Sequence, residues 1–237
     1  MKQIILTFFL LVCLLVETNA QSVQNVDAFK FKQLIAVEDV ILLDVRTPEE
    51  YLRGHIQGST SINIADPEFS TKVSLLQKDK TIFIYCLSGS RSSVAASYLS
   101  RMGFKKIFNL QRGLMDWNRQ EYALEQSSKA IVSDGKTFTE QSFDKLLKEN
   151  KLVLVDFHAT WCAPCKAMSP IIDKVSADFI GKAKVEKVDI EVNKAITKTY
   201  QVRSIPGFVL FKAGIKVWSH TGTISYNDLV IEIKKYL

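Results

Sequence analysis

The stretch LVLVDFHATWCAPCK, Leu152 to Lys166, decides the fold class of the second half of the chain. Leu152 to Phe157 is an apolar run of strand length that carries a single charge, Asp156. It leads through a short linker into Trp161 and two cysteines separated by two residues, after which a helical pattern runs to about Phe179. A strand that feeds directly into a long helix predicts an α/β arrangement. Two cysteines at a helix start can close a small disulfide ring. The helix N-terminus favours the Cys162 thiolate as attacking group, and Cys165, one turn deeper, resolves the mixed disulfide. Cys-x-x-Cys also opens zinc motifs, but a second ligand pair is missing: Cys86, His158 and His220 are isolated, so no metal is expected.

Outward from this centre, the pattern predicts a strand at Ala130 to Val132, a helix capped near Thr139, a strand at Lys184 to Ile190 and a helix at Asn193 to Tyr200. Strands at Phe208 to Lys212 and Lys216 to His220 meet at Ala213-Gly214, a hairpin turn that makes the sheet mixed. An amphipathic helix from Tyr226 to Leu237 closes the chain. Upstream, Gln126 to Lys129 break the pattern, which places a domain boundary near residue 128.

The first half alternates in the same way. A helix is expected at Asp27 to Leu34, a strand at Val40 to Val45, a helix start at Thr47-Pro48-Glu49-Glu50, and a strand at Ser61 to Ile64. A helix at Pro67 to Leu76, a strand at Thr81 to Tyr85, a helix at Ser93 to Met102 ended by Gly103, a strand at Lys106 to Leu110 and a turn of helix at Gly113 to Trp117 follow. Strands alternating with helices imply a parallel sheet. The strand at Thr81 to Tyr85 runs straight into Cys86, with Leu87, Ser88, Gly89, Ser90, Arg91 and Ser92 behind it. A cysteine above a small-residue loop that opens a helix meets a cup of backbone amides, and with Arg91 these favour negative charge on its sulfur.

Of 237 residues, 47% are apolar and 24% charged, which excludes a disordered or low-complexity chain. The net charge of +6 is spread without any like-charge run longer than a doublet, so no nucleic-acid partner is expected. Met1-Lys2, the apolar stretch Ile4 to Val16 and small residues up to Ala20 describe a secretory leader, cut near Ala20. The run falls short of the ~20 apolar residues that cross a bilayer. The expected organisation is a leader at 1–20 and domains at 21–128 and 129–237, in a periplasmic or secreted protein. Loss of Cys13 with the leader leaves Cys86, Cys162 and Cys165, a close pair and a single thiol, which suits chemistry better than a disulfide scaffold.

Two resemblances add to this reading. Cys86-x-x-Gly89-x-Arg91-Ser92, Asp44-Val45-Arg46, Glu50-Tyr51, Gly54-His55-Ile56 and Gly113 with Trp117 resemble the rhodanese family over about residues 25 to 125. The resemblance implies a sulfurtransferase whose Cys86 cycles through a persulfide, with Ser88, Gly89, Ser90, Arg91 and Ser92 binding substrate and His55 structural. Four residues separate Cys86 from Arg91; the related phosphatases have a longer, roomier loop. Arg112 stands where many members carry a glycine. Val153 to Lys166 together with Ser204-Ile205-Pro206 resemble the thioredoxin family over about residues 130 to 237. This implies a thioredoxin fold, a cis Ile205-Pro206 bond, and Trp161, Ile205 and Pro206 against a substrate polypeptide. Asp156, buried and with a pKa raised by desolvation, would shuttle the proton of Cys165, supported by Lys187. Ala163, His158 and Gly207 depart from the family pattern and leave the redox direction open.

Together these features lead to an expectation of an exported thiol-disulfide oxidoreductase fused to a sulfurtransferase, with both nucleophilic sulfurs accessible as anions. Its expected partners are a small sulfane-sulfur donor, exported proteins with disulfides and a membrane thiol reductant, and no cofactor is expected. The alternative is a reductase or isomerase of exported proteins whose first domain is a binding or sensing module.

Overall fold

The computed structural model describes residues 22–36, 40–126 and 136–237. The leader, the boundary near 128 and the strand expected at Ala130 to Val132 lie outside the described residues. In the first half, β1 (Ser22–Val26) leads to α1 (Ala28–Ile35), whose first turn is capped by Asp27 accepting from Lys30 N at 2.8 Å. After β2 (Val40–Asp44), α2 (Pro48–Arg53) opens on a capping box between Thr47 and Glu50 with Pro48 in its first turn. Next come β3 (Thr60–Ser61), α3 (Phe69–Ser74), β4 (Thr81–Tyr85), α4 (Ser90–Arg101), β5 (Lys106–Leu110) and α5 (Gly113–Arg119).

The five strands form one parallel sheet in the order β1-β5-β4-β2-β3. Parallel strands are covered on both faces, which explains why β2 and β4 read as unbroken apolar runs. One face packs Phe31 edge-on against Phe83 at 5.4 Å and Trp117 at 6.4 Å. β1 is an addition to the sequence reading. Its residues Ser22-Val23-Gln24-Asn25-Val26 are too polar to signal a strand, and backbone pairing with β5 and an Asn109 to Asn25 side-chain bond of 2.8 Å hold it. The strand expected at Ser61 to Ile64 shrinks to Thr60–Ser61, although Ile62 N still bonds Asp44 O at 2.9 Å.

The second half contains α6 (Glu140–Glu149), β6 (Leu152–His158), α7 (Ala163–Asp178), β7 (Lys184–Asp189), α8 (Lys194–Thr199), β8 (Gly207–Lys212), β9 (Ile215–Thr221) and α9 (Tyr226–Lys234). Its sheet runs β7-β6-β8-β9, with β7 parallel to β6 and the β6-β8 and β8-β9 pairs antiparallel. Ala213 and Gly214, at φ 50° and 82°, close the hairpin between β8 and β9. The mixed sheet is as expected. No helix among the described residues is long and apolar enough to cross a membrane.

The two halves are docked. Ser61 N donates to Trp161 O at 3.2 Å, and Ala163 N donates to Thr60 Oγ1 at 3.1 Å. Beyond α3, Leu75 O accepts from Ile205 N at 3.1 Å and from Ser204 Oγ at 2.8 Å. Lys72 pairs with Glu191 at 3.0 Å, and Lys194 pairs with Glu68. One apolar cluster runs through the junction, from Leu43 and Ile62 to Trp161, Cys162 and Ile205.

The docking segment is itself held by a buried network. Arg46 grips Asp44 through Nε and Nη2, at 2.9 and 2.7 Å, and reaches Gly54 O at 2.7 Å. Tyr85 donates its hydroxyl to Ser59 Oγ at 3.0 Å, and Tyr51 donates to Ser59 O at 2.7 Å. Ser59 is thus pinned directly ahead of Thr60.

Phe31 has no solvent exposure and contacts two rings, so Phe31→Ala removes a core group without room for collapse. The expected loss is about 3–5 kcal/mol, read as a lowered urea midpoint for the first domain, with Phe31→Leu losing much less.

Candidate active sites

Cys86 stands immediately after β4, and its sulfur accepts from Gly89 N at 3.1 Å. The loop can curl this tightly because of two glycines. Gly89 has φ 95°, and a Cβ there would lie 1.8 Å from Gln111 O. Gly113 has φ 56°, and a Cβ there would lie 2.4 Å from Cys86 O. A side chain at either position would collide with backbone in a conformation that already disfavours it. Leu114 N and Met115 N, at 2.9 and 3.0 Å, close the loop by binding Cys86 O and Leu87 O. The arginine at 112 is accommodated as the residue that precedes α5.

Burial opposes a charge on Cys86. The Ser92 hydroxyl and the amides of Ser92, Ser88 and Gly89 outweigh it, and the thiol's pKa is lowered. Ser88 and Ser90 stand exposed at the mouth with their hydroxyls 3.3 Å apart. Arg91 carries a second partner that the sequence reading did not name, beside its charge interaction with Cys86. Its guanidinium holds Glu50 in two hydrogen bonds of 2.7 and 2.8 Å, and this pairing pulls the Glu50 carboxyl down to about 2. His55 is structural: its ring stacks on Tyr51 at 3.7 Å and Nδ1 lies 2.9 Å from Tyr51 O.

In the second site Cys162 and Cys165 form a disulfide. Cys162 precedes the first residue of α7, and its sulfur accepts from Cys165 N at 3.2 Å. The Ile205-Pro206 bond is cis, and Ile205 and Trp161 are both buried. Asp156 lies buried on β6 with Lys187 beside it in register on β7. The Lys187 ammonium is held by Asp173 at 2.6 Å and by Ser169 Oγ at 3.0 Å, both on α7, so its bonds tie β7 to that helix. Burial lowers the pKa of Lys166, with Glu125 of the first domain opposing.

The expectation that both sulfurs are accessible needs correction. Cys86 has no exposure and Cys162 only 2%. The Cys86 sulfur lies beneath its own loop, whereas both neighbours of Cys162, Trp161 and Ala163, are hydrogen-bonded to β3 of the other domain. Sequence reasoning missed Thr60, Ser61, Leu75 and Glu191 as parts of the second site. They act through backbone groups or through a partner in the other domain, and no residue type announces that. Glu50 was visible within its motif but without a partner, because Arg91 is 41 residues away.

Two outcomes follow from this geometry. Ser92→Ala moves the pH profile of the Cys86 reaction with thiosulfate upward and slows it at neutral pH on the order of tenfold, as one bond to the anion is lost. Glu50 keeps its charge in the folded state down to about pH 2, against an ordinary value of 4.5. Its contribution is therefore complete above pH 4.5 and fades as pH falls towards 2. Glu50→Gln lowers stability in urea by about 2 kcal/mol at pH 7, and the gap to the parent protein narrows in that acid window.

A model of the rhodanese-like domain matches residues 27–120, and a model of the thioredoxin family matches residues 134–235. Thioredoxin from Rickettsia felis is 45% identical over 98 residues, which are 41% of this chain and 93% of that protein. Thioredoxin from Synechocystis is 38% identical over 104 residues, 42% of this chain and 97% of that protein. Thioredoxin Y, chloroplastic, from Oryza sativa subsp. japonica is 42% identical over 100 residues; the match takes in 42% of this chain and 60% of the rice protein. Among solved structures, the N21Q mutant thioredoxin from Halobacterium salinarum is 30% identical with a TM-score of 0.40, covering 44% of this chain and 94% of that one. With a relative matched over nearly its whole length, this chain belongs to the thioredoxin family through its C-terminal half, and it carries a rhodanese-like domain ahead of it.

Proposed function

We propose that the protein is an exported thiol-disulfide oxidoreductase that also handles sulfane sulfur, acting in the periplasm or outside the cell after leader removal. The supporting observation is the pairing, in one chain, of a thiol whose pKa is lowered by amides and Ser92 with a dithiol pair at a helix start. In the proposed cycle the Cys86 thiolate attacks the outer sulfur of a donor such as thiosulfate, sulfite leaves, and Cys86 carries a persulfide. The loop amides hold its charge. The outer sulfur passes to the reduced Cys162, which returns Cys86 to its thiolate. Cys165 then attacks the inner sulfur of the Cys162 persulfide, so that sulfide leaves and the Cys162-Cys165 disulfide forms. Each turn takes two electrons from the dithiol, and an external thiol reductant at the membrane restores them. Asp156 accepts the Cys165 proton during resolution.

Tyr85, Asp44 and Ser61 lie side by side across three strands, so roughly 10 Å separates the outer two. Cys86 follows the first of them, and Trp161, which precedes Cys162, is bonded to the last. The sites therefore share one end of the parallel sheet. Relative movement of the domains has to bring the sulfurs together.

A second reading is favoured by the docking of the first domain over the disulfide: a disulfide reductase or isomerase of exported proteins, with the rhodanese-like domain as a binding or sensing module. Single-turnover release of sulfide from thiosulfate by the pre-reduced protein tests the coupling. Cys162→Ser is expected to reduce release at least about a hundredfold, as removal of an essential nucleophile does; unchanged release removes the coupled cycle. Cys86→Ser with full disulfide reductase activity and no response to thiosulfate supports the module.

A further inference from the structure

Around the disulfide, three backbone groups face outward from the thioredoxin-like domain: Trp161 O, Ala163 N and Ile205 N. Each is satisfied by the rhodanese-like domain, through Ser61 N, Thr60 Oγ1 and Leu75 O respectively. Trp161 O and Ile205 N form the kind of acceptor and donor pair that an extended polypeptide meets with its own backbone. With the docked domain removed, these groups and the apolar surfaces of Trp161 and Ile205 would stand open beside Cys162.

We propose that the rhodanese-like domain occupies the dithiol site as an internal substrate mimic, and that the protein opens at this junction to admit an extended segment of a client polypeptide. The inference rests on the reading of Cys162 and Cys165 as a working pair, and what it adds is the device that limits access to them.

The contact is suited to separation. Its polar part is four hydrogen bonds from Thr60, Ser61 and Leu75 and two ion pairs, Lys72 with Glu191 and Lys194 with Glu68, set around the apolar cluster that joins Ile62 to Trp161 and Ile205. Beside these bonds an unfilled groove of about 420 Å³, bounded by Leu75, Trp161 and Val202, lies along the junction. An incompletely packed contact opens more readily than a domain core. Within the first domain Lys72 also holds Asp66 at 2.9 Å, so that domain keeps a partner for this ammonium when the junction parts. While closed, Cys162 is 2% exposed and no folded protein can present a disulfide to it.

The test uses the full mature chain, reduced and freed of reductant, and follows iodoacetamide labelling of Cys162 by peptide mass spectrometry. Glu68→Lys/Lys72→Glu sets like charges against Lys194 and Glu191 without touching the thioredoxin-like domain. This variant is expected to label Cys162 at least about tenfold faster than the parent and to reduce insulin faster by a similar factor. Adding Glu191→Lys/Lys194→Glu restores opposite charges and is expected to return labelling to the parent rate. That rescue separates opening from misfolding. Thr60→Arg, a wedge at the centre of the contact, provides a second route to rapid labelling. In the parent, raising the salt concentration from low to about 0.5 M also speeds labelling by screening the ion pairs. The proposal is overturned if Cys162 of the parent reacts as fast as in both opened variants. It is overturned equally if the doubly swapped protein remains fast. Labelling reports access alone, so failure of the sulfur cycle leaves this result standing, and the reverse also holds.

Discussion

The buried pair of Asp44 and Arg46 is the constraint on which both sites depend. An ion pair with almost no solvent exposure is tolerable only when its hydrogen bonds are complete. Arg46 meets that condition through both carboxylate oxygens of Asp44 and through Gly54 O. Burial works against its charge, and Asp44 more than offsets this, so the guanidinium's pKa is raised. Asp44 is also the meeting point of three strands, in register with Tyr85 on one side and Ser61 on the other. One residue beyond Tyr85 is the cysteine of the first site, and Ser61 is bonded to the residue ahead of the cysteine pair of the second. A displaced Asp44 would disturb the sulfur cup and the covering strand together.

The sequence made most visible what is local. The Cys86 loop and the strand-to-helix turn at Cys162 each concentrate glycines, serines or cysteines within a few positions, and their chemistry follows from that spacing. The long apolar strands were legible for a related reason, since complete burial erases the polar alternation that would otherwise mask them. Three features were hidden. β1 is a polar edge strand defined by its neighbour. The Glu50-Arg91 pair joins residues that nothing in the chain connects. The junction relies on Leu75 O, Ser61 N and Ile205 N; every residue type supplies such a carbonyl, and every one but proline such an N–H.

Closed docking also changes what burial means at the two sulfurs. Cys86 is buried by the loop that lowers its pKa, so enclosure and tuning there have one cause. Cys162 is flanked on both sides by residues bonded to the neighbouring domain, so under the proposed opening its enclosure ends without unfolding either half. Under the proposed opening, the backbone groups offered to a client are the ones that hold the cover in place, so a client would have to compete for them. Selectivity then depends on this difference in free energy as much as on the contacts a client makes.

The edge position of β1 bears on how the molecule assembles. Ser22 pairs with Lys106 and Val26 with Leu110, so β1, the earliest strand among the described residues, has no pairing partner until the region around residue 110 has emerged. Asp116, which accepts from Ala28 N at 2.9 Å, emerges later still. Ordering from the N-terminus inward is therefore unavailable to this half, and its opening segment waits as an unpaired strand during chain growth. Such a strand invites exchange with a second nascent copy or capture by a chaperone. The polar character that concealed β1 from inspection also leaves little apolar surface on it for such contacts.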